Sequence, residues 1–156
     1  MQYWLLKSEP ATYSLTDLEG DRRALWDGVR NYQARNFLRQ MQPGDLAFFY
    51  HSNVAIPGIV GLTRVCQADI VDPTQLDPDS PYYDPKSTPE KPRWQTVEIE
   101  FVSAFPQTIS LSTLKQSFSP EDLWVVKRGN RLSVIPVPET VARQILQWAS
   151  CGFASC

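Results

Sequence analysis

The sequence predicts a single α+β domain built around a small barrel or curled sheet, and three observations carry that prediction. Short apolar or alternating runs recur along the chain with short helical patterns between them, without regular βαβ alternation. The 13 prolines in 156 residues, about 8% against an average near 5%, punctuate the chain too often for long elements. Many short strands are therefore expected. Finally, 42% hydrophobic and 21% charged residues in a chain of 156 supply one core, which fits one domain.

Taken in order, residues 3–8 (Tyr-Trp-Leu-Leu-Lys-Ser) read as a first strand. Ser14 with Asp17 has the Ser-x-x-Asp spacing of a helix start, giving a short helix over 14–18 closed by Gly20. Residues 32–41 form the clearest amphipathic helix. There Ala34, Phe37, Leu38 and Met41 fall at i, i+3, i+4 and i+7, while Arg35, Arg39 and Gln40 face away. Pro43-Gly44-Asp45 is a turn signal, and the apolar run 46–51 is too short for a helix and reads as a strand. A second β run covers 58–68, where Gly58 and Gly61 suggest a bulge or a close backbone approach. Residues 72–92 carry six prolines and no periodicity, so they predict a long loop, ordered by its neighbouring Tyr82 and Tyr83. Over 94–101, Val97, Ile99 and Phe101 alternate with Thr96, Glu98 and Glu100, the pattern of a half-buried antiparallel strand. A short helix over 111–116 and an ambiguous apolar run over 123–126 follow. A strand over 131–137, ended by prolines, then leads to a C-terminal helix opened by Pro138-Glu139, with Val141, Ile145, Trp148 and Ala149 as its apolar stripe. The domain is expected over 1–149, with 150–156 as a tail.

Composition excludes several classes of function. No run approaches the roughly 20 apolar residues of a membrane-crossing helix, and the first residues turn polar too soon for a signal peptide. Cys66, Cys151 and Cys156 have no pairing pattern, which favours a reducing compartment. With His51 the only histidine, a structural zinc site lacks ligands, and neither a metal nor an obligatory cofactor is expected. The net charge of −2 disfavours binding dominated by phosphate neutralisation over the whole surface. A local basic patch remains available, since residues 22–39 hold five arginines against Asp27 alone.

Four segments combine ring, amide, hydroxyl and guanidinium groups at strand ends or turns: 4–10, 26–36, 50–53 and 128–133. Such a kit suits a flipped or single-stranded base. Rings stack a base for about 1–3 kcal/mol each, Asn and Ser read its edge, and arginine neutralises a phosphate or stacks. Each group also has a structural alternative. Trp4, Trp26 and Trp94 can be core residues, the arginines a solvated helix face, His51 a structural histidine, and Asn31 and Asn53 turn caps.

The strings themselves narrow the choice. Tyr3-Trp4-Leu5 with Lys7-Ser8-Glu9-Pro10, Trp26-Asp27-Gly28-Val29-Arg30-Asn31-Tyr32-Gln33-Ala34-Arg35-Asn36 and Phe49-Tyr50-His51-Ser52-Asn53 are joined by several later pieces. These are Gly58-Ile59-Val60-Gly61, Tyr83-Asp84-Pro85-Lys86-Ser87, Arg93-Trp94 and Arg131-Leu132-Ser133-Val134. In this order the chain resembles the EVE domain of the PUA-like superfamily, from residue 3 to about 148. The resemblance implies a PUA-like small mixed β-barrel flanked by short helices. It also implies a nucleic-acid-binding reader that holds an extruded, modified base, with 5-substituted cytosine in DNA favoured and RNA as the alternative. Carried over by position, Trp4, Lys7, Ser8, Trp26, Arg30, Asn31, Tyr32, His51, Ser52, Asn53, Arg131 and Ser133 would surround the base pocket. Asp84, Lys86 and Trp94 would form its rim or support. The lack of the basic N-terminal extension of nuclear members implies a cytoplasmic, bacterial-type protein. A nucleotide or nucleoside hydrolase is the rival reading, with Ser8, His51 and Asp84 as its triad candidates. No Gly-x-Ser-x-Gly elbow, P-loop or His-Glu-x-x-His accompanies them.

Overall fold

The alternation of the first strand decides the architecture. In β1 (Tyr3–Ser8), Tyr3 and Leu5 enter one core and Trp4 and Leu6 another, because successive strand side chains face opposite sides. A strand buried on both faces needs cover on both. The Trp4 side is covered by α1 (Leu15–Asp21) and α2 (Tyr32–Gln40) through Leu15, Leu18, Ala34 and Leu38. The Leu5 side is covered by α3 (Leu111–Ser117) and α4 (Glu139–Cys151) through Leu114, Val141, Ala142 and Ile145. This computed structural model describes residues 1–151.

Within the sheet, β1 pairs in parallel with β3 (Leu46–His51) and antiparallel with β6 (Val134–Val137). Next, β3 pairs with β4 (Gly58–Val71), β4 with β5 (Gln95–Ser110), and β5 with β2 (Arg23–Leu25), all antiparallel. The spatial order is β2-β5-β4-β3-β1-β6. The α+β class, mixed sheet and flanking helices are those expected. The ladder is open: among the described residues no pairing joins edge strands β2 and β6.

The strands depart from expectation in length. Instead of many short pieces, β4 runs for 14 residues and β5 for 16. Repeated register shifts along their pairing, as between Ile59 and Gly61, allow both strands to bend and continue. Pro106 falls between the paired Ala104 and Ile109, where no partner needs its missing N–H. The opposite correction applies at 131–137, where only Val134–Val137 is strand; 123–126 resolves into a 3-10 turn, Trp124–Val126. The first helix continues through Gly20 and ends at Arg22, whose φ of 68° breaks it, while Ser14 and Asp17 make the expected capping box. Ser150 and Cys151, assigned to the tail, are helical in α4; 152–156 lie outside the described residues.

The proline-rich loop is ordered by side chains that stand in for a ladder. Gln75 donates to the carbonyls of Asp72 (2.7 Å) and Trp94 (2.8 Å), and its oxygen accepts the amides of Arg93 (3.0 Å) and Trp94 (3.1 Å). It is fully buried. The loop is thereby fixed against β5 and α2, where it forms one side of the candidate site.

Candidate functional site

A cavity of about 720 Å³ opens between the end of β1, the segment following β2 and the proline-rich loop. Lys7 and Ser8 reach it from β1, Trp26 to Arg30 from the segment after β2, Tyr82 from the loop, and Ser133 from the turn before β6. Backbone bonds fix the first wall. The Lys7 amide donates to the Ser133 carbonyl (2.9 Å), and the Trp26 amide donates to the Val97 carbonyl (2.9 Å). The buried Thr96 hydroxyl donates to the Trp26 carbonyl. The Trp26 ring meets Phe49 edge-on at 5.6 Å.

The opposite wall depends on a glycine. Gly28 has φ +83°, and a Cβ there would lie 2.8 Å from the Tyr82 ring. Glycine therefore meets both the backbone requirement and the close approach of the ring. Arg30 holds the Tyr82 backbone in place. Its Nε and Nη2 donate to the Tyr82 carbonyl (3.0 and 2.8 Å), and Nη1 to the Val29 carbonyl (2.9 Å) and Asp72 Oδ2 (3.1 Å). Nη2 also donates to Thr74 Oγ1 (2.9 Å). A guanidinium has five N–H groups, and this arrangement engages them all. Arg30 is thus a clamp rather than a free phosphate contact. Burial pushes the Asp72 carboxyl up, but hydrogen bonds from Thr74, the Gly28 amide and Arg30 prevail and hold it below the usual aspartate range.

Three charged groups on the cavity, Lys7, Glu9 and Asp27, have no such engagement among the described residues. Lys7 has no carboxylate within ion-pair distance among the described residues; it lies 5.9 Å from the Tyr50 ring centroid, and burial lowers its pKa. Asp27 receives no hydrogen bond from another residue among those described. Burial, and then the Asp72 carboxylate, push its carboxyl up, with Arg30 pulling the other way.

The remaining residues expected at the site serve other purposes in the fold. Trp4 is buried and donates from Nε1 to Asp45 Oδ2 (3.0 Å). It lines a separate cavity of about 470 Å³ beside Trp124 and Glu139, because the parity of β1 turns it toward α2. Asn31 caps α2, its Oδ1 accepting the Ala34 amide (2.9 Å). Tyr32 stacks on Trp94 (4.8 Å, 18°), and the Arg35 guanidinium lies 4.7 Å from its ring centroid, while about half of the residue, 51%, stays exposed. Trp94 Nε1 donates to Asp84 Oδ2 (2.7 Å), and Asp84 Oδ1 accepts the Lys86 amide (2.9 Å). Both therefore brace the loop. His51 Nε2 accepts the Leu15 amide (3.1 Å), the Ser52 amide donates to the Ser8 carbonyl (3.0 Å), and Asn53 turns the chain at φ 57°. Arg131 is exposed and outside the cavity lining.

Sequence reasoning overlooked Asp27, Gly28 and Tyr82 as lining residues. The first two lay unweighted within the string 26–36. Tyr82 was visible only as a ring in a proline-rich loop. Among the described residues no cluster of His, Cys, Asp and Glu could hold a metal, and no helix is long and apolar enough to cross a membrane.

An open mixed sheet with helices on both faces and a ringed, polar cavity at one end defines a PUA-like domain, as the solved structures that resemble it also indicate. The chain belongs to the EVE domain family, which it matches over residues 2–148. Mouse thymocyte nuclear protein 1 is 46% identical over 124 residues, 72% of this chain and 55% of that protein. The chain thus spans about half the length of several curated relatives it matches. A solved protein of Pseudomonas syringae superposes with a TM-score of 0.89 at 49% identity, covering 94% of this chain and 99% of the other. The human THYN1 protein, solved in complex with DNA containing 5-methylcytosine, superposes with a TM-score of 0.88 at 36% identity, covering 96% and 98%.

Proposed function

We propose that this chain is a nucleic-acid reader that seats one extruded base in the 720 Å³ cavity, with a 5-substituted cytosine in DNA as the favoured ligand. The observation that carries this reading is the cavity itself: rings of Trp26 and Tyr82 on its walls and ionic groups of Lys7 and Asp27 beside them. Its likeness to the human protein solved with 5-methylcytosine DNA supports the choice of ligand. Extrusion costs a few kcal/mol, and stacking returns about 1–3 kcal/mol per base, so affinity is modest. Lys7, Ser8, Trp26 and Ser133 belong to the base pocket, and Tyr82 and Asp27 join them. Arg30, Asn31, Tyr32, Asp84 and Trp94 support it, and Lys86 lies at its rim.

The site binds rather than catalyses in this reading. Ser8 and His51 are register partners at the ends of β1 and β3. However, the Ser8 hydroxyl donates to the Tyr13 carbonyl (2.6 Å), His51 Nε2 already accepts the Leu15 amide, and Asp84 holds the Trp94 indole. The three do not form a proton relay. The free Cys66 thiol fits a cytoplasmic setting.

A binding panel tests the reading. Labelled DNA and RNA oligonucleotides, single- and double-stranded, would carry cytosine that is plain, methylated or hydroxymethylated. Modified DNA should bind about tenfold more tightly than plain DNA. Tyr82→Ala should lose about tenfold in affinity for the modified strand with an unchanged melting temperature, and Tyr82→Phe should retain binding. Equal affinity across the panel would retire the modified-base reading, and turnover of any oligonucleotide would replace it with the hydrolase.

A further inference from the structure

Resting on that base-seating reading, we propose that Asp27 recognises the exocyclic amine of the seated base, so that the cavity takes cytosines and refuses thymine and uracil. Asp27 and Glu9 are the two unengaged carboxylates of the cavity lining, and Asp27 is the one that stands in the chain between Trp26 and Gly28, the residues on which the two walls are built. Arg30 has no N–H left to offer, because all five are engaged by Tyr82, Val29, Asp72 and Thr74. The Ser8 hydroxyl is turned to the Tyr13 carbonyl. Asp72, close behind the wall, is buried and accepts from Gly28, Arg30 and Thr74. Asp27 stands apart. Its amide is fixed to the Leu25 carbonyl (3.0 Å), which holds it next to the Trp26 ring. Its carboxyl lines the cavity without a donor from another residue among those described.

The Asp27 carboxyl is pushed up by partial desolvation and by the Asp72 charge, although Arg30 and its own backbone amide pull it down, and the residue stays exposed along the cavity where a ligand can reach it. Such groups concentrate at functional sites. The ligand that relieves this push must bring N–H groups. A cytosine amine does so, as acidic side chains accept from it in nucleic-acid recognition, and the bond is charge-assisted. Thymine and uracil present a carbonyl oxygen at the same ring position. There the carboxylate would face a second acceptor, and both would lose water without gaining a bond. Lys7, the unengaged cation on the cavity, supplies a donor for the carbonyl that cytosine carries elsewhere on its ring.

Single-stranded oligonucleotides that carry one 5-methylcytosine or one thymine in the same context provide the test. The two bases share the ring and the 5-methyl group and differ in the amine or oxygen and the adjacent ring proton. The wild type should favour 5-methylcytosine by about tenfold or more. Asp27→Asn, whose amide can also donate to an oxygen, should reduce that ratio to about threefold or less. Glu9→Gln, at the other carboxylate of the cavity lining, should leave it intact. The ratio is taken on one preparation, so it is independent of the fraction folded. A wild type that binds both strands equally, an Asp27→Asn ratio equal to the wild type's, or a Glu9→Gln that removes the preference would overturn the assignment while leaving the base-seating reading in place. A wild type that binds no strand, plain or modified, overturns both.

Discussion

Trp26 and Tyr82 face the same cavity, yet their walls are built on different principles. The Trp26 wall is fastened by backbone hydrogen bonds to β5 and by a ring packed on Phe49 within the core. The Tyr82 wall hangs on side chains: Arg30 to the Tyr82 carbonyl, Asp72 to Arg30 and Gly28, Gln75 to Asp72 and Trp94, and Asp84 to Trp94. Ladder bonds and buried apolar area do not depend on any one charge, whereas a side-chain network fails when a single member is removed. One wall is therefore part of the fold, and the other is a separately sensitive attachment to it.

Three perturbations break or sharpen that contrast, in order of expected effect. Trp26→Ala should cost about 4 kcal/mol of stability, since the ring is buried in the core. Urea denaturation should show the loss across the whole protein, together with loss of oligonucleotide binding. A cost near zero would mean that this wall too is only an attachment. Arg30→Ala comes next, at about 3 kcal/mol, because it leaves the nearly buried Asp72 carboxylate without its ion partner. Hydrogen exchange should rise first over residues 72–94, while β1 and β3 stay protected; a uniform rise would erase the distinction between the walls.

Acid supplies the smallest effect. Asp72 and Asp84 both have carboxyls held below the usual aspartate range in the folded protein, although burial opposes this at Asp72. At Asp84 the Trp94 indole N–H is the leading cause. A carboxyl whose folded pKa is depressed contributes stability that is complete above its unfolded value, about 3.9. That contribution is lost as pH falls toward the lower folded value. The urea midpoint should therefore drop as pH is lowered below about 5, and Asp72→Asn should show a shallower acid limb. An acid limb unchanged in Asp72→Asn would place the pH sensitivity elsewhere in the molecule.

Parts of this arrangement were legible in the residues. The apolar face of α2 through Ala34, Phe37, Leu38 and Met41 and the capping box at Ser14 are patterns within a few positions, and the folded chain keeps them. Lys7, Ser8, Trp26 and Ser133 were identified by motif and do line the cavity. Trp4 lines a different cavity, because a ring in a motif does not reveal which face of β1 it takes. Tyr32 and Asn31 stand outside the cavity lining, and their partners, Trp94 and the Ala34 amide, are met only once the loop and α2 are in place.

Periodicity, caps and turns act over a handful of bonds, so the amino-acid order alone determined the class of fold, the helices and the ordered nature of the proline-rich loop. Which polar groups are satisfied was decided only by tertiary structure. Arg30 meets Tyr82 across 52 positions and Gly28 meets Asp72 across 44, and only chain closure over such distances decides which donors are engaged. The unpartnered carboxyl of Asp27 is a product of that closure.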